Sequence, residues 1–206
     1  MKPAGTRCLI GITLIVSATA CASTTPTAVV PARPAPSQIV QADVETAQRS
    51  WCAALVEIGR LGATGGNAKA TATDVLSKAY DYDTGTVLFK PTLTFGAQTF
   101  RTTKQGALAY FVGGDSSYPD DSGFALKQWV KCEAKVIGVV VHGDMAIAMG
   151  NVHLENAKGD KVTVDKSFGY LRRDDGSLRI VLHHSSLPYV PAKVPVADLR
   201  PSTPRP

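Results

Sequence analysis

Histidine and cysteine number only four each among 206 residues, and neither forms a His-X-His or Cys-X-X-Cys pair. A catalytic zinc site of the familiar kind needs three protein ligands around an open position, and this spacing does not supply them. His183 and His184 are consecutive, so on a strand they point to opposite faces and cannot grip one ion without a bulge. A surplus of one charge is also missing where it would matter. The chain carries a formal +5, yet residues 41–190 hold 16 Lys/Arg against 16 Asp/Glu. A nucleic-acid binder concentrates its cations on the folded part, so no nucleic-acid partner is expected. No apolar run reaches the roughly 20 residues that a membrane-spanning helix needs.

What is present divides the chain. Residues 1–22 have the layout of a bacterial secretory signal: Lys2 and Arg7, an apolar stretch from Cys8 to Ala20, then the small residues Ala18-Thr19-Ala20-Cys21. The last four resemble a lipobox, in which Cys21 is acylated and becomes the mature amino terminus. Ala18 departs from the usual Leu, and ordinary cleavage near Ala20 or Ala22 is the alternative. A Pro/Thr/Ala-rich linker (23–40) and a Pro-rich tail (191–206) flank one folded domain, 41–190. The expected location is the periplasm, with membrane contact only through a lipid anchor. After export, Cys52 and Cys132 remain as a candidate disulfide; two buried thiols that never meet are the plainer alternative.

Within the domain, Val44, Ala47, Trp51, Leu55 and Ile58 recur at helical steps, which predicts a helix over about 41–61. A second helix is expected over about 71–80, and a third after a Thr103 cap, ending at Gly113-Gly114. Short strand-like pieces lie at 87–89 and 98–100. Four alternating segments, about 128–141, 144–154, 162–172 and 178–186, are joined by turn-rich links and read as an antiparallel meander. Helices first and sheet second predict an α+β fold: a curved antiparallel sheet, cone-shaped, with the N-terminal helices over its concave face.

The richest local chemistry is Leu182-His183-His184-Ser185-Ser186-Leu187-Pro188-Tyr189. Strict alternation puts Ile180, Leu182, His184 and Ser186 on one face and Arg179, Val181, His183 and Ser185 on the other. The first set is more apolar and would ordinarily face the core; a bulge or strand end near Pro188 would reverse that.

Several segments together resemble the iota-class carbonic anhydrases: Trp51 on its helix, Val-Leu-Phe-Lys-Pro-Thr at 87–92, Phe-Arg-Thr-Thr at 100–103 and Ala-Leu-Ala-Tyr-Phe-Val-Gly-Gly at 107–114. To these are added Gly-Phe-Ala-Leu at 123–126, Ala-Met-Gly-Asn at 148–151, Phe-Gly-Tyr at 168–170 and His-His-Ser-Ser-Leu-Pro at 183–188. That family is similar to the association domain of calcium/calmodulin-dependent kinase and to the nuclear-transport-factor-two-like cone folds. The resemblance implies reversible hydration of CO2 to bicarbonate, a homodimer through the outer sheet face, and a pocket in which hydroxyls hold bicarbonate or the attacking water. Matched motif by motif, these hydroxyls fall on Thr92, Tyr110 and Ser185, with His183 as base or orienter. No cofactor is expected, although a divalent ion such as zinc or manganese stays open.

Each of these residues has a plainer reading. Thr92 after Pro91 caps a turn, Tyr110 beside Phe111 packs in a core, and Tyr170 either lines the cavity or packs. Arg101 either pairs with a carboxylate or steers bicarbonate, and His184 and Ser186 are the alternates to their neighbours. The competing function is a non-catalytic cone-fold lipoprotein that binds a small anion or assembles partners, because this fold hosts both kinds.

Overall fold

Val44, Gln48, Trp51, Cys52, Leu55 and Ile58 form the buried stripe of α1 (Gln41–Ala63). In the first turn, the Asp43 carboxylate accepts a hydrogen bond from the Val40 amide, 3.1 Å, which satisfies one free donor where negative charge is favoured. The computed structural model describes residues 38–191. The expected signal with Cys21, nearly all of the linker and residues 192–206 lie outside the described residues. Among those described, no helix is long and apolar enough to cross a membrane.

The second helix, α2 (Ala68–Ala79), begins earlier than its apolar pattern suggests because Asn67 caps it, its side chain accepting from the Ala70 amide at 2.9 Å. The third, α3 (Lys104–Val112), is capped by Thr103 as expected, at 3.2 Å to the Gly106 amide. It ends at Gly113, whose φ of 63° suits glycine.

The sheet has five strands: β1 (Leu88–Lys90), β2 (Trp129–His142), β3 (Met145–Asn156), β4 (Lys161–Arg172) and β5 (Leu178–Ser186). Their order is β1-β5-β4-β3-β2. The last four form the antiparallel meander, and β1 lies parallel to β5, with Phe89 beside His183. The strand expected at 98–100 is absent. There, Thr94 donates to the Thr99 carbonyl and Thr99 to that of Gly96, both at 2.8 Å, and residues 96–98 form a 3-10 turn instead. Threonine hydroxyls compete with a ladder in this way.

Helices α1 to α3 cover one face of the sheet. Cys52 on α1 and Cys132 on β2 are joined as a disulfide, with Cα atoms 5.2 Å apart. Gly150 lets β2 and β3 approach at a β2 bulge, since a Cβ there would sit 2.0 Å from the Lys135 carbonyl oxygen. The core is contiguous from Val44 and Leu55 through Phe89, Phe111 and Trp129 to Phe168 and Ile180.

A bulge in β5 fixes the site. Tyr170 pairs with Ile180 but Gly169 pairs with Leu182, which leaves Val181 unmatched. Strict alternation therefore fails: Ile180 faces in, and so do His183 and Ser185, each 1% exposed. Alternation alone would carry His184 and Ser186 inward with Ile180; one extra residue reverses the parity of everything after it, and the preferred His183 and Ser185 take the inward positions. The bulge sits near the start of the strand, far from Pro188.

Candidate active site

Three elements bring hydroxyls together. Thr92 follows β1 directly after Pro91, and because β1 runs parallel to β5 it arrives level with Ser185. Their hydroxyl oxygens are 2.5 Å apart, and either one can be the donor. The Lys90 ammonium donates to the Ser185 carbonyl at 3.0 Å and holds the two chain segments together. Tyr110 reaches in from α3, its ring stacked on Phe124 at 5.4 Å and edge-on to Phe89. Its hydroxyl faces the Thr92 side chain and the Thr92–Leu93 backbone, yet it makes no hydrogen bond of full geometry. Burial pushes the Tyr110 phenol well above its ordinary pKa, with the contacts to Thr92 and Leu93 pulling weakly the other way. The group stays protonated at neutral pH, a buried donor with an unfilled bond.

His183 lies beside this cluster but turns its nitrogens elsewhere. Its ring stacks on Phe89 and packs on Phe168, each 4.5 Å between centroids. Nδ1 meets the Tyr80 hydroxyl at 2.8 Å and Nε2 meets Lys166 Nζ at 2.7 Å. Tyr80 in turn accepts from Trp51 Nε1 at 2.9 Å. Burial first, then the neighbouring Lys166 and His184, push the imidazole well below its ordinary pKa. The expectation that His183 serves as base at the hydroxyls is corrected: both nitrogens are engaged away from Ser185 and Thr92, and the ring is held neutral.

The other candidates are not brought to the hydroxyls. His184 is exposed on the outward face, beside Ser167 of β4, and Ser186 shares its parity. Tyr170 lies four residues along β4 from Lys166, about 13 Å at strand rise, with its hydroxyl directed at Gln48 and its ring on Phe168. Arg101 is 3% exposed, and its Nη2 donates to both carboxylate oxygens of Asp121, at 2.9 and 3.0 Å. Its guanidinium also lies 4.7 Å over the Tyr118 ring. Arg101 thus makes the pair with a carboxylate and ties down the 113–123 loop.

Lys166, Tyr80 and Trp51 complete the interior chain, and the sequence reading did not single them out for it. A signal for Lys166 existed: Val164, Lys166, Phe168 and Tyr170 alternate inward along β4, which places a lysine at period two within an apolar strand face. Burial lowers its pKa to about 7. Two surface grooves, one beside the disulfide and one between α1 and α2, lie away from the three hydroxyls. No group of three or more His, Cys, Asp or Glu able to hold a metal ion occurs among the described residues.

Fold and site together define an α+β domain in whose interior three hydroxyls converge, with an imidazole and an amine behind them. The family model for metal-independent carbonic anhydrases matches residues 42–187, and the chain belongs to that family. It is 48% identical over 153 residues to the metal-independent carbonic anhydrase of Nostoc sp. strain PCC 7120, covering 73% of this chain and 75% of that protein. It is also similar to a crystal structure of the iota-carbonic anhydrase from a cyanobacterium complexed with bicarbonate. There the identity is 47% and the TM-score 0.73, covering 75% of this chain and 95% of the other.

Proposed function

We propose that this protein hydrates CO2 reversibly to bicarbonate and a proton, using Thr92, Tyr110 and Ser185 in place of a metal. The convergence of those three hydroxyls carries the reading, together with the family to which the chain belongs. The reaction needs a more nucleophilic water, a donor for charge developing on the CO2 oxygens, and an exit for the proton. Tyr110, protonated and short of a partner, is the donor aimed at a developing oxyanion. The Thr92–Ser185 pair orients the water, since each hydroxyl can accept one hydrogen bond while donating another. Phe89, Phe111 and Phe124 pack around the Tyr110 ring, apolar surroundings that suit uncharged CO2.

Stopped-flow CO2 hydration on extensively chelated protein tests this reading. Full activity after chelation is expected; activity lost on chelation and restored by one ion would keep the enzyme but remove the metal-free mechanism. No rate above buffer would leave the anion-binding alternative.

The reading includes a homodimer and export. Ile137, Val140, Ile147 and Met149 are all more than half exposed on β2 and β3, an apolar face that a second copy would cover. The signal-like residues 1–22 and the Cys52–Cys132 bridge favour an oxidising compartment, with Cys21 as the acylated amino terminus. Native mass spectrometry of detergent-extracted protein reads both: dimers of chains beginning at acylated Cys21 are expected, and monomers or unmodified termini would remove the corresponding part.

A further inference from the structure

Hydration releases a proton that Ser185, Thr92 and a strongly raised Tyr110 cannot take at neutral pH, and burial pushes the His183 imidazole well below its ordinary pKa. Lys166 remains. It stands opposite Ser185 in the β4–β5 register, is 5% exposed, and pairs with no carboxylate among the described residues. Its Nζ lies 4.5 Å over the Trp51 ring and 2.7 Å from His183 Nε2.

Counting donors gives its charge state. Trp51 Nε1 can only donate, so the Tyr80 oxygen accepts from it, and the single Tyr80 hydrogen then goes to His183 Nδ1. A neutral imidazole that accepts at Nδ1 carries its hydrogen on Nε2, and that hydrogen points at Lys166 Nζ. Only an uncharged amine has the lone pair to receive it. The opposite arrangement, with an ammonium donating to Nε2 and Nδ1 donating to Tyr80, strands the Tyr80 hydroxyl hydrogen where the residue is 1% exposed.

Resting on the CO2-hydration reading, we propose that the neutral amine of Lys166 is the proton acceptor of the reaction, reached through the Ser185 hydroxyl. The water oxygen bonds to the CO2 carbon, one water O–H bond breaks, and the Lys166 lone pair gives up the His183 Nε2–H hydrogen bond to form a new N–H bond, so that CO2, H2O and R–NH2 give HCO3⁻ and R–NH3⁺. The ammonium then returns its proton to buffer. The ammonium is the less well held form, because the chain from Trp51 is built to donate to this nitrogen, and release follows readily. Burial sets the amine near 7, close to where a general base works best. The titratable groups facing it are His183 from β5 and, behind that ring, Tyr80 after α2; Lys90 from β1 holds the Ser185 carbonyl, and α1 contributes only the Trp51 ring.

The test compares wild type with Lys166→Met and Lys166→Arg in stopped-flow hydration across pH, beside a titration of the lysine Nζ signals by NMR in the wild type. We expect kcat/KM to rise with pH through a midpoint near 7, and both variants to lose that limb and about 100-fold in rate. Wild-type stability should also rise between about pH 7 and 9.5. The unfolded lysine binds a proton there that the folded one has lost, and Lys166→Met should remove that slope. A variant that keeps the limb and the rate overturns the proposal alone. A wild type without CO2 hydration overturns the proposal and the functional reading together. Where neither variant folds, the NMR midpoint decides: near 7 supports the proposal, and near 10 overturns it.

Discussion

Ser185→Ala is expected to lower kcat/KM for CO2 hydration by about 10²–10³-fold, the loss typical when one positioned donor at a developing charge is removed, while leaving the thermal midpoint nearly unchanged. The side chain is small and lies against Thr92 at 2.5 Å, at a residue only 1% exposed. Its removal deletes one hydroxyl without opening a cavity of consequence, and the half-buried Thr92 can turn to another partner. A residue that only holds the fold would show the reverse: lost stability with activity per folded molecule retained. Thr92→Val should repeat the loss, and the double variant should lose little more than either single one, because groups acting as a unit are not additive. Unchanged activity in Ser185→Ala would sink the hydroxyl mechanism, and full additivity would separate the pair into independent contacts.

The helices and the meander were legible because they rest on periodicity and on local capping. Thr103 announces α3, and the turn-rich links at 142–144, 158–160 and 174–176 announce the hairpins. The placement of Thr92, Tyr110 and Ser185 was legible only through the motifs that carry the resemblance, since no local rule brings the end of a three-residue parallel strand beside β5. The facing of the His-His-Ser-Ser run was not legible by alternation. It depends on Val181 being skipped in the ladder, and a bulge leaves no mark in a run of valine and leucine. Arg101 posed the same difficulty: its partner Asp121 lies in a loop 20 residues away, and nothing short-range distinguishes it from Asp120. Lys166 shows the opposite case, a signal present in the period-two pattern of β4 but easily set aside, because a lone lysine on a strand is ordinarily solvated at its tip.

Replacing Cys52 and Cys132 together by alanine is expected to lower the unfolding free energy by about 2–5 kcal/mol, with about 4.5 kcal/mol set by the chain entropy of a loop this long. The bridge spans 80 residues and fastens α1 to β2, the strand at the far edge of the sheet from β1. No other disulfide joins the helices to the sheet among the described residues. Alanine leaves no unsatisfied polar group behind, so the loss reports the cross-link and a small packing change around Cys52, which is 4% exposed. The consequence reaches the site through the neighbouring residue: Trp51 holds Tyr80, Tyr80 holds His183, and His183 holds Lys166. Urea unfolding of oxidised, reduced and double-alanine protein measures the effect. Reduced and double-alanine forms should unfold at similar, lower urea concentrations and lose CO2 hydration at lower temperature than the oxidised form. A shift below about 0.5 kcal/mol, the range of ordinary surface substitutions, would mean that packing of α1 against β2 already fixes the helix. In that case the bridge would contribute nothing to holding Trp51 over Lys166.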